Sequence, residues 1–301
     1  MMLSTAAKRP QTSLRSNRAK EPTMILPPHI TLNDGNSIPR IGLGVWRLAN
    51  VEAPQLVADA IDAGYRHIDT AEAYQNEAGV GRGVKLAKAR RRDLWITSKL
   101  QTSFQGYDST MRAFDQTVTK LELDQLDLFL VHWPAPGRDK YVETWKAFVD
   151  LQKQGRIRSI GVSNFLPEHL ERIIGESGVT PSVNQIELHP RFQQGASRDW
   201  HQQHGIVTES YSPLGGKGND LLLDPVITRI AKRHGKSPAQ VVIRWHLQLD
   251  LVVLPKSSKL ERAMENLDVW DFELTEEDMA SIAGLDSPDG KTLPHPNDLN
   301  D

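Results

Sequence analysis

The chain has 301 residues, 36 Lys and Arg against 38 Asp and Glu, and a formal net charge of −2. That balance gives no bulk electrostatic attraction to nucleic acid or to a membrane surface, and no apolar run approaches the roughly 20 residues of a membrane helix. Cysteine is absent, which excludes disulfides, thiolate metal sites and a Cys nucleophile, and fits a reducing, cytoplasmic location.

Residues 1–23 differ from the rest. Lys8, Arg9, Arg15, Arg18 and Lys20 stand among Ser, Thr and Pro, with Glu21 as the acid. Such a segment is expected to be a disordered N-terminal tail. It reads as a solvated arm or an extension upstream of a start at Met24. A transit-like peptide is the other reading, and the weak apolar face disfavours it. Residues 24–301 are expected to form one structural unit.

Order is expected from His29. Two short apolar runs flank Asn33-Asp34-Gly35-Asn36, and Asp-Gly supplies the positive φ of a tight β-hairpin turn. Strand candidates follow at Gly42–Trp46, Arg66–Thr70, Leu94–Ser98, Leu126–His132, Ser159–Ser163, Val183–Leu188, Ile206–Ser210 and Leu251–Pro255. Amphipathic helical spacing separates them at Glu52–Ala63, Glu77–Ala89, Ser109–Leu123, Tyr141–Gln154, Pro167–Ile174 and Arg198–His204. Pro225–His234 and Pro238–Leu249 each carry Pro in the first turn. Lys259–Leu267 and Thr275–Ala283 are extra C-terminal helices. Gly64, Gly155 and Gly205 stand where helix C-caps belong.

Eight βα units predict an α/β fold, a single (β/α)8 TIM barrel with the hairpin capping its bottom. A doubly wound open sheet is the alternative. In a barrel, catalytic residues gather at the C-terminal strand ends. Those ends carry Asp69, Lys99, His132, Ser163-Asn164, Gln185, Tyr211-Ser212 and Lys256-Ser257. Taken singly, Asp69 reads as a helix N-cap, Tyr74 as a wall residue and His132 as a satisfied core histidine. Taken together at one rim, Asp69, Tyr74, Lys99 and His132 make a proton-donating group. A phenol with a pKa near 10 is a poor acid at neutral pH, and a neighbouring ammonium is expected to lower it. Asp69 would hold Lys99 charged, and His132 would hydrogen-bond a substrate oxygen. This suits protonation of an oxygen gaining negative charge, as in carbonyl reduction by hydride. No side chain supplies hydride, so a nicotinamide cofactor is implied.

No dinucleotide fingerprint follows a strand. Gly79-Val80-Gly81-Arg82-Gly83 lies inside a helical pattern, where helix packing explains it better than phosphate binding. Lys256, Ser257, Ser258 and Arg262 cluster at a helix start after the last strand, a common barrel phosphate site. Two cations suit a 2′-phosphate, which favours NADPH/NADP+. The PLGGKG run at 213–218 could fold over the pyrophosphate.

At these residues the chain closely resembles the aldo-keto reductases, above all the bacterial 2,5-diketo-D-gluconate reductase branch. The likeness runs from about Ile25 to the C-terminus. It rests on GYRHIDTAEAYQNE at 64–77, LVHWP at 130–134, IGVSNF at 160–165, VNQIELHP at 183–190, Tyr211–Leu214 and PKSSKLER at 255–262. The resemblance implies that Tyr74 is the general acid, Asp69 and Lys99 its modulators, and His132 the substrate-orienting partner. It implies that Ser163, Asn164 and Gln185 hold the nicotinamide carboxamide and that Tyr211 stacks on the ring. Ser212 and Leu214 would line the cofactor. Lys256, Ser257 and Arg262 would bind the 2′-phosphate, and Glu265 and Asn266 the adenine edge. Hydride would leave the 4-pro-R face. Trp46 and Trp133 would wall the substrate pocket. A monomer acting on a small-molecule carbonyl substrate, with no metal, nucleic-acid or membrane partner, is expected.

Three departures bear on substrate rather than on chemistry. Gln101 stands where the branch has Trp, residues 102–108 diverge, and Tyr211 replaces a Trp. The short tail after Gly284 predicts a pocket open on one side. Two other functions fit a barrel: a Schiff-base lyase with Lys99 as nucleophile, and a cofactor-binding sensor with little turnover. His201 and His204 have metal-like spacing but are expected on a solvated face, as is the Arg90–Arg92 run.

Overall fold

Eight short strands pair in parallel, each with the next in the chain. A computed structural model describes residues 27–216 and 220–300; the expected tail at 1–23 and part of the 213–218 loop lie outside them. The hairpin is β1 (His29–Thr31) and β2 (Ser37–Pro39). The barrel follows as β3 (Leu43–Gly44), α1 (Ala53–Asp62), β4 (His67–Asp69), α2 (Glu77–Leu86), β5 (Trp95–Leu100), α3 (Tyr107–Leu121), β6 (Leu126–Val131) and α4 (Tyr141–Lys153). It continues as β7 (Ile157–Ser163), α5 (Pro167–Ser177), β8 (Val183–Glu187), α6 (Gly195–Gln203), β9 (Val207–Tyr211), α7 (Pro225–His234), α8 (Pro238–Gln248) and β10 (Val252–Val253), with α9 (Leu260–Leu267) and α10 (Glu276–Ala283) at the end.

Parallel bridges Ile41–Val253 and Gly44–Lys256 join the first strand region to the last and close the sheet. The closed barrel replaces the open-sheet alternative. Alternation along the strands sorts their side chains. On β6, Phe129 faces outward and stacks on Phe148 of α4, with ring centroids 4.7 Å apart, while Leu128 and Leu130 join Ile38 of the hairpin, Val183 and Val252 in a separate cluster. Asn33 Nδ2 donates to Pro181 O at 2.9 Å, and Asn36 Nδ2 to Arg158 O at 3.2 Å. Both acceptors lie at the N-terminal side of strands, so the hairpin plugs the barrel bottom and leaves the opposite mouth for chemistry.

The glycines of α2 do what packing demands. A Cβ on Gly81 would lie 2.1 Å from Leu121 O, and one on Gly83 2.7 Å from Val57 Cβ. Their absence of side chains lets α2 press against α1 and the end of α3. Two expectations shift. The helix expected at 198–204 begins at Gly195, because its first turn, Gly-Ala-Ser, has no apolar periodicity. His201 is buried, not solvated: its ring contacts Asn184 Nδ2 at 2.8 Å and Thr208 Oγ1 at 2.9 Å. It ties α6 to β8 and β9. No cluster with the makings of a metal site occurs among the described residues.

Candidate active site

Asp69, Lys99, His132 and Gln185 reach the same mouth because each stands at or near the C-terminal end of a parallel strand. Asp69 is the last residue of β4 and Lys99 the last but one of β5. Asp69 is the Cα partner of Thr97 across the β4–β5 ladder; Lys99, two residues farther along β5, points to the same face as Thr97, and the side chains of Asp69 and Lys99 meet. Lys99 Nζ donates to Asp69 Oδ1 at 2.6 Å, Asp69 Oδ2 at 2.8 Å and Thr70 O at 3.0 Å. Lys99 is 0% exposed and Asp69 4%, so water screens the pair little. Asp69 does not cap a helix. The 3₁₀ turn Glu72–Tyr74 begins after Ala71 and has no side-chain cap.

That turn is held by a residue the sequence reading passed over. Asn76 is buried; its Nδ2 donates to Val45 O and Leu48 O, and its Oδ1 accepts from Thr70 Oγ1 at 2.7 Å. The loop after β4 is thereby bolted to the loop after β3. Tyr74 then projects so that its Oη lies 3.5 Å from Lys99 Nζ. His132, just past β6, approaches edge-on, with its ring centroid 6.0 Å from that of Tyr74.

The electrostatics correct one expectation. Burial pushes the Tyr74 phenol up and outweighs the opposing pull of Lys99, so its pKa stands above the ordinary value. Burial works against the Lys99 ammonium, but Asp69 and Tyr74 more than offset it, and its pKa is raised. His132 is pushed down to about 3, first by burial and then by Lys99, so its imidazole is neutral. The resting site therefore contains a phenol, an ammonium and a neutral imidazole.

The four residues stand at the floor of a cleft of about 700 Å³; Asp69, Tyr74 and His132 line it and Lys99 lies beneath. Trp46 and Trp133 form part of its walls, and Asn164, Gln185, Tyr211, Ser212, Leu214 and Lys256 line it as well. Tyr211 Oη donates to Asn164 Oδ1 at 2.7 Å. Ser163 is buried behind them, its hydroxyl donating to Gln185 O at 2.8 Å. Asn164 and Ser212 adopt positive φ, 63° and 50°, which is uncommon for non-glycine residues.

The residues expected to hold phosphate differ in exposure. Lys256 lines the cleft, whereas Arg262 and Glu265 are exposed on α9 and Asn266 is buried there. Ser257 is occupied locally, donating to Lys259 O at 2.7 Å and accepting from Lys259 N at 3.1 Å. Burial, then Arg47 and also Arg262, hold the Lys256 ammonium below its ordinary range, with Glu52 opposing. Arg47 was not foreseen. It has φ 59° and stacks its guanidinium 4.0 Å from the Trp46 ring centroid.

Two expectations about the pocket change. Gln101 does not line the cleft but a second cavity of about 450 Å³, with Glu72, Glu77 and Lys120. The C-terminal tail, though short, is strapped down and contributes Thr292 and Leu293 to the cleft wall. Glu187, at the end of β8, accepts from Thr292 N at 2.9 Å, from Thr292 Oγ1 and from Leu293 N at 3.2 Å. Farther on, Asn300 Oδ1 accepts from Gly137 N at 2.7 Å. Neither Glu187 nor the strap carries a local sequence signal, because the contact spans over a hundred residues.

A family model described as the Aldo/keto reductase family matches residues 40–287. The chain belongs to the aldo/keto reductase family. An aldo-keto reductase of Mycolicibacterium smegmatis is 55% identical over 274 residues, covering 91% of this chain and 98% of that one. Methylglyoxal reductase DkgA of Escherichia coli is 48% identical over 270 residues, covering 90% and 97%. Among solved structures, a mutant of Gox0644 in complex with NADPH superposes with a TM-score of 0.88 at 49% identity, covering 91% of this chain and 99% of that one. This aldo/keto reductase thus shares fold and sequence with its relatives over the whole barrel.

Proposed function

We propose that this chain reduces aldehyde or ketone carbonyls to alcohols, with NADPH as cofactor and Tyr74 as proton donor. The observation that carries the reading is the buried Asp69–Lys99 pair with Tyr74 Oη 3.5 Å from the ammonium, at the floor of the cleft. A carbonyl oxygen gaining negative charge needs an acid beside it and fixed positive charge nearby. Tyr74 stays protonated through the neutral range. As its proton leaves, the phenolate forms beside Lys99, which stabilises it. Asp69 keeps that ammonium charged and in place. Neutral His132 donates a hydrogen bond to the substrate oxygen and orients it.

The cleft fits the cofactor. Asn164, Gln185 and Tyr211 offer an amide pair and a ring for the nicotinamide, with Ser163 behind them and Ser212 and Leu214 along the wall. Arg47, Lys256 and Arg262 gather like charges whose mutual repulsion a phosphate would relieve. Ser257, Glu265 and Asn266 complete that end. When bound, NADPH supplies the hydride that no side chain can.

The relationship to a methylglyoxal reductase favours small dicarbonyls as substrates, with keto-sugar acids next. One chain supplies every group named, so a monomer suffices. Lys99 as a Schiff-base nucleophile is disfavoured, since its raised pKa keeps the amine protonated. The test follows NADPH oxidation with methylglyoxal, aldoses, α-keto esters, aromatic aldehydes and keto-sugar acids. Turnover with small dicarbonyls is expected. Absence of oxidation with every carbonyl, or a borohydride-trapped adduct on Lys99, would remove the reading.

A further inference from the structure

The barrel interior below the Asp69–Lys99 pair is polar, and the reaction described above does not use it. Glu209 of β9 is 0% exposed. It faces Gln185 across the β8–β9 ladder, where the two are Cα partners. Gln185 Nε2 donates to Glu209 Oε2 at 2.7 Å and to Asp69 Oδ2 at 3.0 Å. His67 of β4 also approaches Glu209, its Nε2 lying 3.8 Å from Glu209 Oε1 and engaged with Thr97 Oγ1 at 2.9 Å, and the charges of Asp69 and Lys99 act on Glu209 from above.

The Gln185 amide turns its NH₂ toward both carboxyl groups: the Asp69 carboxylate only accepts, and the carbonyl oxygen of a protonated Glu209 accepts as well. The amide's own carbonyl oxygen then faces away from both. Gln185 also lines the cleft, so it is the link between the buried acid and the space above. Asp69 is already committed to Lys99 through both oxygens. Glu209 is the partner whose hydrogen bonding to Gln185 is not shared with the ammonium.

We propose that Glu209 is a positioning residue for the cofactor: it holds the Gln185 amide with its NH₂ inward, so that the carbonyl oxygen is presented to an N–H of the nicotinamide carboxamide. The assignment rests on the NADPH reading above. A carboxyl serves here without adding a second buried charge. Burial, then the field of Asp69, push Glu209 up to about 8, so at neutral pH it is largely protonated, and Asp69 and Lys99 balance one another. An amide at position 209 is therefore a fair substitute for the native group.

The test compares Glu209→Ala and Glu209→Gln by calorimetric titration at pH 7 with two ligands. NADPH carries the carboxamide; 2′-phospho-ADP-ribose lacks the nicotinamide. Glu209→Ala should weaken NADPH about five- to tenfold, the worth of one oriented hydrogen bond, and leave 2′-phospho-ADP-ribose unchanged. Glu209→Gln should restore NADPH binding. If the Ala variant fails to fold, Glu209→Leu, which keeps volume and removes the acceptor, takes its place with the same expectation. Equal weakening of both ligands, or NADPH binding unmoved by loss of the acceptor, overturns the proposal. Binding needs no turnover, so a wild-type protein that shows this pattern yet reduces no carbonyl would support Glu209 while refuting the reductase reading.

Discussion

Replacing Lys99 with Met isolates the charge on which the site depends. Met keeps most of the length and removes the ammonium. In the native chain that ammonium makes three short hydrogen bonds, two to Asp69 and one to Thr70 O, out of contact with solvent. Without it, Asp69 retains the Gln185 donor but no counter-charge. Breaking a buried pair from one side costs about 3–5 kcal/mol. At a urea slope of about 3 kcal/mol/M, the unfolding midpoint should fall by about 1–2 M. The pH dependence has a definite sign. The folded pKa of Lys99 is raised above the ordinary 10.5, so its stabilisation is complete below the unfolded value and lost as pH rises through the folded one. The gap between native protein and variant should be level from about pH 8 to 10 and narrow above that range. Carbonyl reduction should drop by about 100-fold or more. Urea titrations across this pH range measure the first two effects and NADPH oxidation the third. An unchanged midpoint, or a gap that widens above pH 10, would refute the reasoning.

Three further substitutions probe separate parts of the site. Tyr74→Phe should cost about 100-fold or more in kcat/KM while NADPH binds within about twofold of native; unchanged kcat would end the proton-donor assignment. Arg262→Ala should weaken NADPH about tenfold to a hundredfold, as for a lost charge-assisted hydrogen bond, and leave NADH nearly unaffected. Equal losses for both cofactors would place the 2′-phosphate elsewhere. Glu187→Gln leaves one acceptor oxygen for the donors of Thr292 and Leu293. Amide exchange in residues 288–296 should then quicken about tenfold or more, with the barrel core unchanged; exchange at the native rate would show that the strap is held by other contacts.

Much of this protein was legible in its sequence, for identifiable reasons. Short apolar runs mark strands buried on both faces and spacing near 3.6 marks helices buried on one, so the regular alternation of the two pointed to the barrel. Because parallel strands all end at one mouth, knowing the strand ends placed Asp69, Lys99, His132, Gln185 and Tyr211 together before any contact was seen. Tyr74, Asn164 and Lys256 followed from their adjacency to those ends. Local sequence did not reveal the residues whose importance comes from distant partners. Asn76 matters because Val45 and Leu48 lie beside it, Glu187 because the tail crosses to it, and Glu209 because Gln185 and Asp69 close over it. His201 appeared solvated because helical spacing does not say which face the neighbouring strands will cover.

The sequence by itself determined the fold class, the strand-end residues and the chemical types available for proton donation. Tertiary structure decided the charge states and the shape of the pocket. A pKa depends on desolvation and on charges a few ångströms away, and these are set by chain segments far apart in sequence. That is why burial prevails over Lys99 at Tyr74, why Gln101 faces a different cavity, and why a short tail forms part of the cleft wall.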